Sequence, residues 1–144
     1  MNNMELSIYV FSVLLWFWFL GCIVTYKIGR IYLVEGMGVK SYEFVMLTLF
    51  TVGFVMYILY ESIGKWVLIS ILCFWIIIQF FCHWYYTIFG ASDSKILGYN
   101  QCFENTIHLF PKSTSRIIPD FYHIILHLLI IIEIILIIIS INTY

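Results

Sequence analysis

Four runs of almost unbroken apolar residues, at 6–26, 44–60, 66–89 and 120–141, divide this chain, and the polar residues collect between them. None alternates with the period of a strand, and each approaches or exceeds the ~20 residues that a helix needs to cross the bilayer hydrocarbon. The pattern predicts an all-α, polytopic integral membrane protein: one domain, residues 1–144, with four transmembrane helices in a bundle. The first run follows Met-Asn-Asn-Met-Glu rather than a basic start and has no small-residue cleavage site, so it is expected to remain as a span.

The connections differ in kind. Residues 27–43 carry Lys27, Arg30, Glu35, Lys40 and Glu43 around Gly36-Met37-Gly38, which reads as a flexible polar loop. Residues 61–65 are too few for more than a tight turn, so the second and third spans form an antiparallel hairpin. In the 90–119 connection, Ser92-Asp93-Ser94 offers helix caps, and Ile96, Tyr99, Phe103, Ile107 and Phe110 recur at three- and four-residue steps. That spacing predicts a short amphipathic interfacial helix over 94–108, lying along the membrane surface before the last span. Pro111 ends it, and Pro119-Asp120 suits the first turn of the last span.

Composition agrees. With 63% hydrophobic and 10% charged residues and a mean hydropathy of +1.01, the chain lies far from the roughly 25% charge of soluble domains. Its partner is the lipid bilayer, and a net charge of -1 without a basic block gives nucleic acid no purchase. Lys27, Arg30 and Lys40 lie in one large connection and Lys95, Lys112 and Arg116 in the other. The opposite side has only Lys65, so both large loops are expected in the cytoplasm and both termini outside, in a plasma or inner membrane. Cys22, Cys73, Cys82 and Cys102 form no Cys-x-x-Cys pair and read as buried free thiols. Gly21 and Thr25, four apart, make a small-xxx-small pair for close helix approach.

Polar side chains inside the spans are the candidates for function, because hydrocarbon tolerates them only at a cost. Asp120, His123 and His127 fall within a ~60° arc of a helix. His83 and His108 belong to the same membrane level. Such a set suits a metal ion or haem, since carboxylate-x-x-His spacing builds metal centres in helix bundles; it equally suits rings that anchor helix ends at the headgroups. Deeper, Glu133, Gln79 and Thr51 share the middle of three spans. No span supplies a cation for Glu133, so its carboxyl is expected to be neutral and hydrogen-bonded, to Gln79 or to a neighbouring copy. Counted along the helix, Glu133 lies about 240° from His127, which predicts a second functional face on the last span.

The segment Thr48-x-x-Thr51-Val52-Gly53-Phe54 resembles the potassium-channel filter, but channels continue with Gly-Asp where this chain has Val55-Met56, and no pore helix precedes it. Three function classes remain open. The first is a non-enzymatic membrane component: an ion-conducting pore, as a homo-oligomer, or an accessory subunit beside other membrane subunits, with Glu133 binding an ion or proton. The second is a metal- or haem-dependent oxidoreductase or hydrolase built on the histidines. The third is an immunity-type or partner-binding protein. No catalytic residue is named by any sequence motif, and enzyme activity is the less favoured expectation.

Overall fold

The computed structural model describes residues 3–143. Helices α1 (Asn3–Leu20), α2 (Tyr42–Leu59), α3 (Glu61–Phe89), α4 (Asp93–Cys102) and α5 (Phe121–Thr143) come in that order along the chain, and a two-stranded antiparallel hairpin, β1 (Tyr26–Ile28) and β2 (Ile31–Val34), stands between the first two. All the helices except α4 are long and apolar enough to cross a membrane. The expected four spans are therefore present, with shifted ends: α1 stops at Leu20 rather than 26, and α3 starts at Glu61 rather than 66.

These helices are apolar nearly all round, so amphipathicity cannot decide which side turns inward. The buried positions nevertheless form narrow seams at alternating three- and four-residue steps. They run through Ile8, Ser12, Leu15 and Phe19 on α1, Met46, Phe50, Gly53 and Tyr57 on α2, and His123, Leu126, Ile130, Glu133, Ile137 and Ser140 on α5, with Leu47, Tyr122 and His127 buried beside them. This is the spacing of helices packed at shallow angles. Helix α5 packs against both α1 and α3, and α2 packs on α3. Hydroxyls that can bond their own backbone stay outside: Ser7, Thr48 and Ser70 each donate to the carbonyl four residues back. Side chains without such a solution, Ser12, Gln79, His83, His127 and Glu133 among them, are buried between helices. Gly53 sits inside α2, where an added Cβ would meet Ile71 Cδ1 at 2.9 Å, so the filter-like segment is a helix-packing surface.

The expected turn at 61–65 shrinks to the single residue Tyr60. Gly64 explains this: a Cβ there would lie 2.2 Å from Tyr57 Cα, so only glycine lets α3 start while touching the end of α2. At the other end of the bundle, α1 finishes with its last carbonyls provided for. Tyr26 Oη donates to Phe17 O (2.6 Å), Tyr122 Oη to Trp18 O, and the Cys22 and Ile23 amides to Phe19 O and Leu20 O (both 2.9 Å).

The 27–43 connection is not the loop expected with Gly36-Met37-Gly38 at its centre. Its tight turn is Gly29-Arg30 between paired Ile28 and Ile31, with Gly29 at φ 63°, a left-handed conformation that glycine adopts without strain. Gly21 does admit close neighbours, Val34 and Tyr122, but beyond the end of α1, and Thr25 instead accepts from Gly36 N (3.1 Å), so the pair is no helix-helix motif.

Helix α4 is shorter than the expected 94–108. It ends at Cys102 because the Phe103 carbonyl is taken by Thr106 Oγ1 (3.1 Å) and His108 Nε2 (3.0 Å), side-chain donors that compete with the next helical amide. The segment after it joins the hairpin through a Tyr32–Thr106 bridge and an Asn105 Nδ2 to Glu35 hydrogen bond (3.3 Å). Both long connections thus pack on each other at one end of the bundle, here the loop end. Gly64→Ala is expected to cost about 1–3 kcal/mol through overpacking, whereas Gly98→Ala in α4, with nothing within 4 Å of the new methyl, should gain about 0.4–1 kcal/mol. Unfolding of each variant in detergent, tracked by circular dichroism, checks the contrast.

Candidate functional site

Near the loop end α3 widens into one π-helical turn, Phe80–Trp84, whose closing bond runs from Tyr85 N to Phe80 O. A residue added to a helical turn rotates the remainder of the helix, and such turns recur at working sites. Here it brings both His83 and Trp84 to the side facing α5. His83, His123 and His127 then gather: the His83 ring centroid lies 4.5 Å from that of His123 and 5.5 Å from that of His127, with all three side chains buried.

Hydrogen-bond partners assign each ring a part. Trp84 Nε1 can only donate, and it reaches His127 Nδ1 at 2.7 Å, so His127 carries its proton on Nε2 and donates it to Gln79 Oε1 at 3.0 Å. Both nitrogens of His127 are consumed. His83 Nδ1 pairs with Tyr99 Oη of α4 at 2.8 Å. Asp120 precedes α5 and caps it, its Oδ1 accepting from His123 N (3.0 Å) and from His123 Nδ1 (2.6 Å). An ionised carboxylate fixes the proton of His123 on Nδ1 and leaves Nε2 outward, without a partner among the described residues.

A cavity of about 400 Å³ lies between β2, the start of α2, α4 and His123, with Cys22, Val34, Met37 and Ile117 among its walls and Glu35, Glu43 and Lys95 also lining it. Burial by itself pushes the Asp120 carboxyl up, but the hydrogen bonds from His123 and the charge of that ring outweigh it and hold the group below the ordinary carboxyl value. Burial pushes the Cys22 thiol up to about 12, only partly offset by its hydrogen bond with Tyr122 Oη (3.5 Å), so the thiol stays protonated and a poor nucleophile. Burial, reinforced by the charge of Asp120, also raises the Tyr99 phenol, which remains a neutral donor or acceptor for His83.

His108 does not join this cluster. Its Nε2 is spent on the Phe103 carbonyl, and its buried Nδ1 has no partner among the described residues. For a metal or haem this leaves the Nε2 atoms of His83 and His123, and among the described residues no group of three His, Cys, Asp or Glu is arranged to hold a metal ion. The thiols divide: Cys22 is buried, Cys73 half-buried, and Cys82 and Cys102 exposed, where burial of all four was expected.

The deeper set is paired differently from expectation. Gln79 bonds His127, while Glu133, fully buried, takes Ser12 Oγ on its Oε1 and has no partner on Oε2 among the described residues. Thr51 accepts from Trp16 Nε1 at 2.8 Å and donates to Leu47 O. The shifted ends of the spans explain the difference: the middle of α1 falls beside Ser12 once the helix ends at Leu20, and the early start of α3 shifts Gln79 toward the loop end. Nor does Glu133 form a second outward face. About 240° forward is about 120° back, and α5 is wedged between α1 and α3, so both flanks of one broad inward arc are covered. Ser12, Trp84 and Tyr99 do not stand out in the sequence as site residues; Ser12 has a signal, as the one hydroxyl in the interior of the first apolar run.

Compared with known protein families, with curated proteins and with solved structures, the chain matches none.

This geometry has two measurable outcomes. A carboxyl depressed in the native state adds stability that is fully present above about pH 4, its unfolded value, and is lost as pH falls through the lower native value. The stability gap between the natural protein and Asp120→Asn is therefore expected to hold from pH 7 to about 4 and to narrow below, as read by thermal unfolding across pH. Ser12→Ala should cost about 1–3 kcal/mol by stranding the Glu133 carboxyl. Glu133→Gln, which keeps an acceptor for Ser12, should cost less, and adding Glu133→Leu to Ser12→Ala should recover part of the loss, since neither partner is then left behind.

Proposed function

We propose that this chain is an integral membrane protein that binds a small molecule at the loop end of its bundle, with the Asp120–His123 pair acting as proton acceptor toward it. One observation carries the reading: His123 lines the cavity, held through Nδ1 by a buried carboxylate and with no partner for Nε2 among the described residues. A carboxylate behind an imidazole fixes the tautomer and stabilises the cation that forms when the far nitrogen takes a proton. The neighbouring groups support this division of labour, since His127 is tied at both nitrogens, His83 is held by Tyr99, and Cys22 is kept as thiol. With both basic connections on the cytoplasmic side, as the positive-inside rule has it, the cavity opens to the cytoplasm.

Diethyl pyrocarbonate, which acylates unprotonated imidazole nitrogen, tests the reading on the full-length protein in neutral detergent, with sites mapped by mass spectrometry. His123 is expected to react well before His127, and Asp120→Asn to slow it several-fold by releasing the tautomer. Reaction at His127 with His123 untouched would overturn the assignment.

Glu133 favours a second reading, that of an ion- or proton-binding component of a pore or of a larger membrane complex. Its support is a fully buried carboxyl, one oxygen of which has no partner among the described residues, in the interior of α5. In proteoliposomes, Glu133→Gln should then abolish proton flux while leaving the fold intact; no flux in the natural protein disposes of it. Cross-linking in membranes decides between a homo-oligomer and an accessory subunit.

A further inference from the structure

The pocket beside His123 has walls of one character and a rim of another, and together they specify a ligand. Cys22, Val34, Met37 and Ile117 present hydrocarbon or sulfur, so the body of the ligand is apolar. The charged lining residues are Glu35, Glu43 and Lys95, two negative against one positive. Lys95 is already engaged, its Nζ 3.9 Å from the centroid of the Tyr86 ring, and among the described residues Glu35 is met only by the neutral Asn105 amide at 3.3 Å. A single positive charge on the ligand balances the lining. Tyr99 and Phe103, with ring centroids 4.6 Å apart, add two aromatic rings to the same wall, and ring faces attract cations.

The independent pointer is His123. It is only 8% exposed, lines the cavity, and in its neutral ring offers a lone pair on Nε2 that no described residue fills. A lone pair accepts from an N–H and gains nothing from a quaternary ammonium, which has none. We infer that this pocket binds an amphiphile whose head is a protonated aliphatic amine, the ammonium lying between Glu35 and Glu43 with one N–H directed to His123 Nε2 and the apolar body against Val34, Met37 and Ile117.

The inference rests on the proposed proton-acceptor pocket and deepens it: the lone pair of His123 accepts a hydrogen bond from the ammonium, which keeps its proton because an aliphatic amine is more basic than an imidazole and stands between two carboxylates. An amino-headed membrane lipid and a soluble hydrophobic amine share this chemistry.

The full-length protein in neutral detergent is titrated with octylamine, octyltrimethylammonium, octyl sulfate, octanol and butylamine, monitoring the thermal midpoint and the protection of His123 from diethyl pyrocarbonate. Octylamine is expected to bind saturably and at least tenfold more tightly than the other four. Glu35→Gln with Glu43→Gln should weaken it at least tenfold, and Lys95→Gln, which removes the competing cation, should tighten it; this second variant keeps the test informative where the first fails to fold. His123→Phe, which keeps a ring but removes the acceptor, should erase the preference for octylamine over octyltrimethylammonium. Octyl sulfate or butylamine binding as tightly as octylamine, or affinity indifferent to both the glutamine pair and Lys95→Gln, would overturn the inference. Normal His123 acylation without amine selectivity removes this inference and leaves the proton-acceptor reading standing; amine selectivity with an unreactive His123 does the reverse. In nanodiscs, protection of His123 by phosphatidylethanolamine but not phosphatidylcholine identifies a lipid source, and protection by added octylamine alone identifies a soluble one.

Discussion

Inside a bilayer no water waits to hydrogen-bond a stranded polar group, and apolar surface gains nothing by turning away from lipid toward another helix. Everything specific about this bundle depends on that constraint. Ile and Leu occupy almost every position of α5 and are indifferent to which way the helix is rotated. His123, His127 and Glu133 are not, and they fix the inward arc. Ser7 and Ser70 bond to their own helix and stay outside, while Ser12 is drawn in by Glu133.

The architecture is legible in the sequence because length and hydropathy suffice for spans, and because Pro119, Asp120 and the spaced histidines mark the start of the last one. The Asp120–His123 pair is legible for the same local reason: three residues on a helix bring two side chains together whatever the rest of the chain does. Partners on different helices are not. Pairing Glu133 with the right helix requires depths correct to within a turn, and a displaced end of α1 suffices to hide Ser12. The hairpin is obscured because the glycines at 36 and 38 draw attention from Gly29, the residue that actually turns. The cavity has no sequence signal at all, since its walls come from five separate stretches of chain.

Placing an ionisable pair at the loop end rather than mid-span reconciles two opposing demands. A histidine deep in hydrocarbon is tied down by whatever neighbours it finds, as His127 is by Trp84 and Gln79. A histidine in water needs no arrangement and has no particular reactivity. His123 stands between these conditions, roofed by α4 and held from behind by a carboxylate that also caps its helix, so one side chain both begins the fold's most apolar span and orients the ring.

The contact between Trp18 and Tyr122 is reciprocal: the rings stack at 5.2 Å, the indole donates to the Tyr122 carbonyl at 3.1 Å, and the phenol donates to the Trp18 carbonyl. These residues are separated by 104 positions, and Ser12 and Glu133 by 121. The α2–α3 hairpin, by contrast, closes over neighbouring residues. Local pairings form ahead of distant ones because less chain entropy opposes them. During biogenesis, then, the first span must wait in the membrane, its carbonyl and serine unanswered, until the last has been inserted. The pocket, which draws on Cys22 after α1 and His123 on α5, comes into being only after α5 has been made.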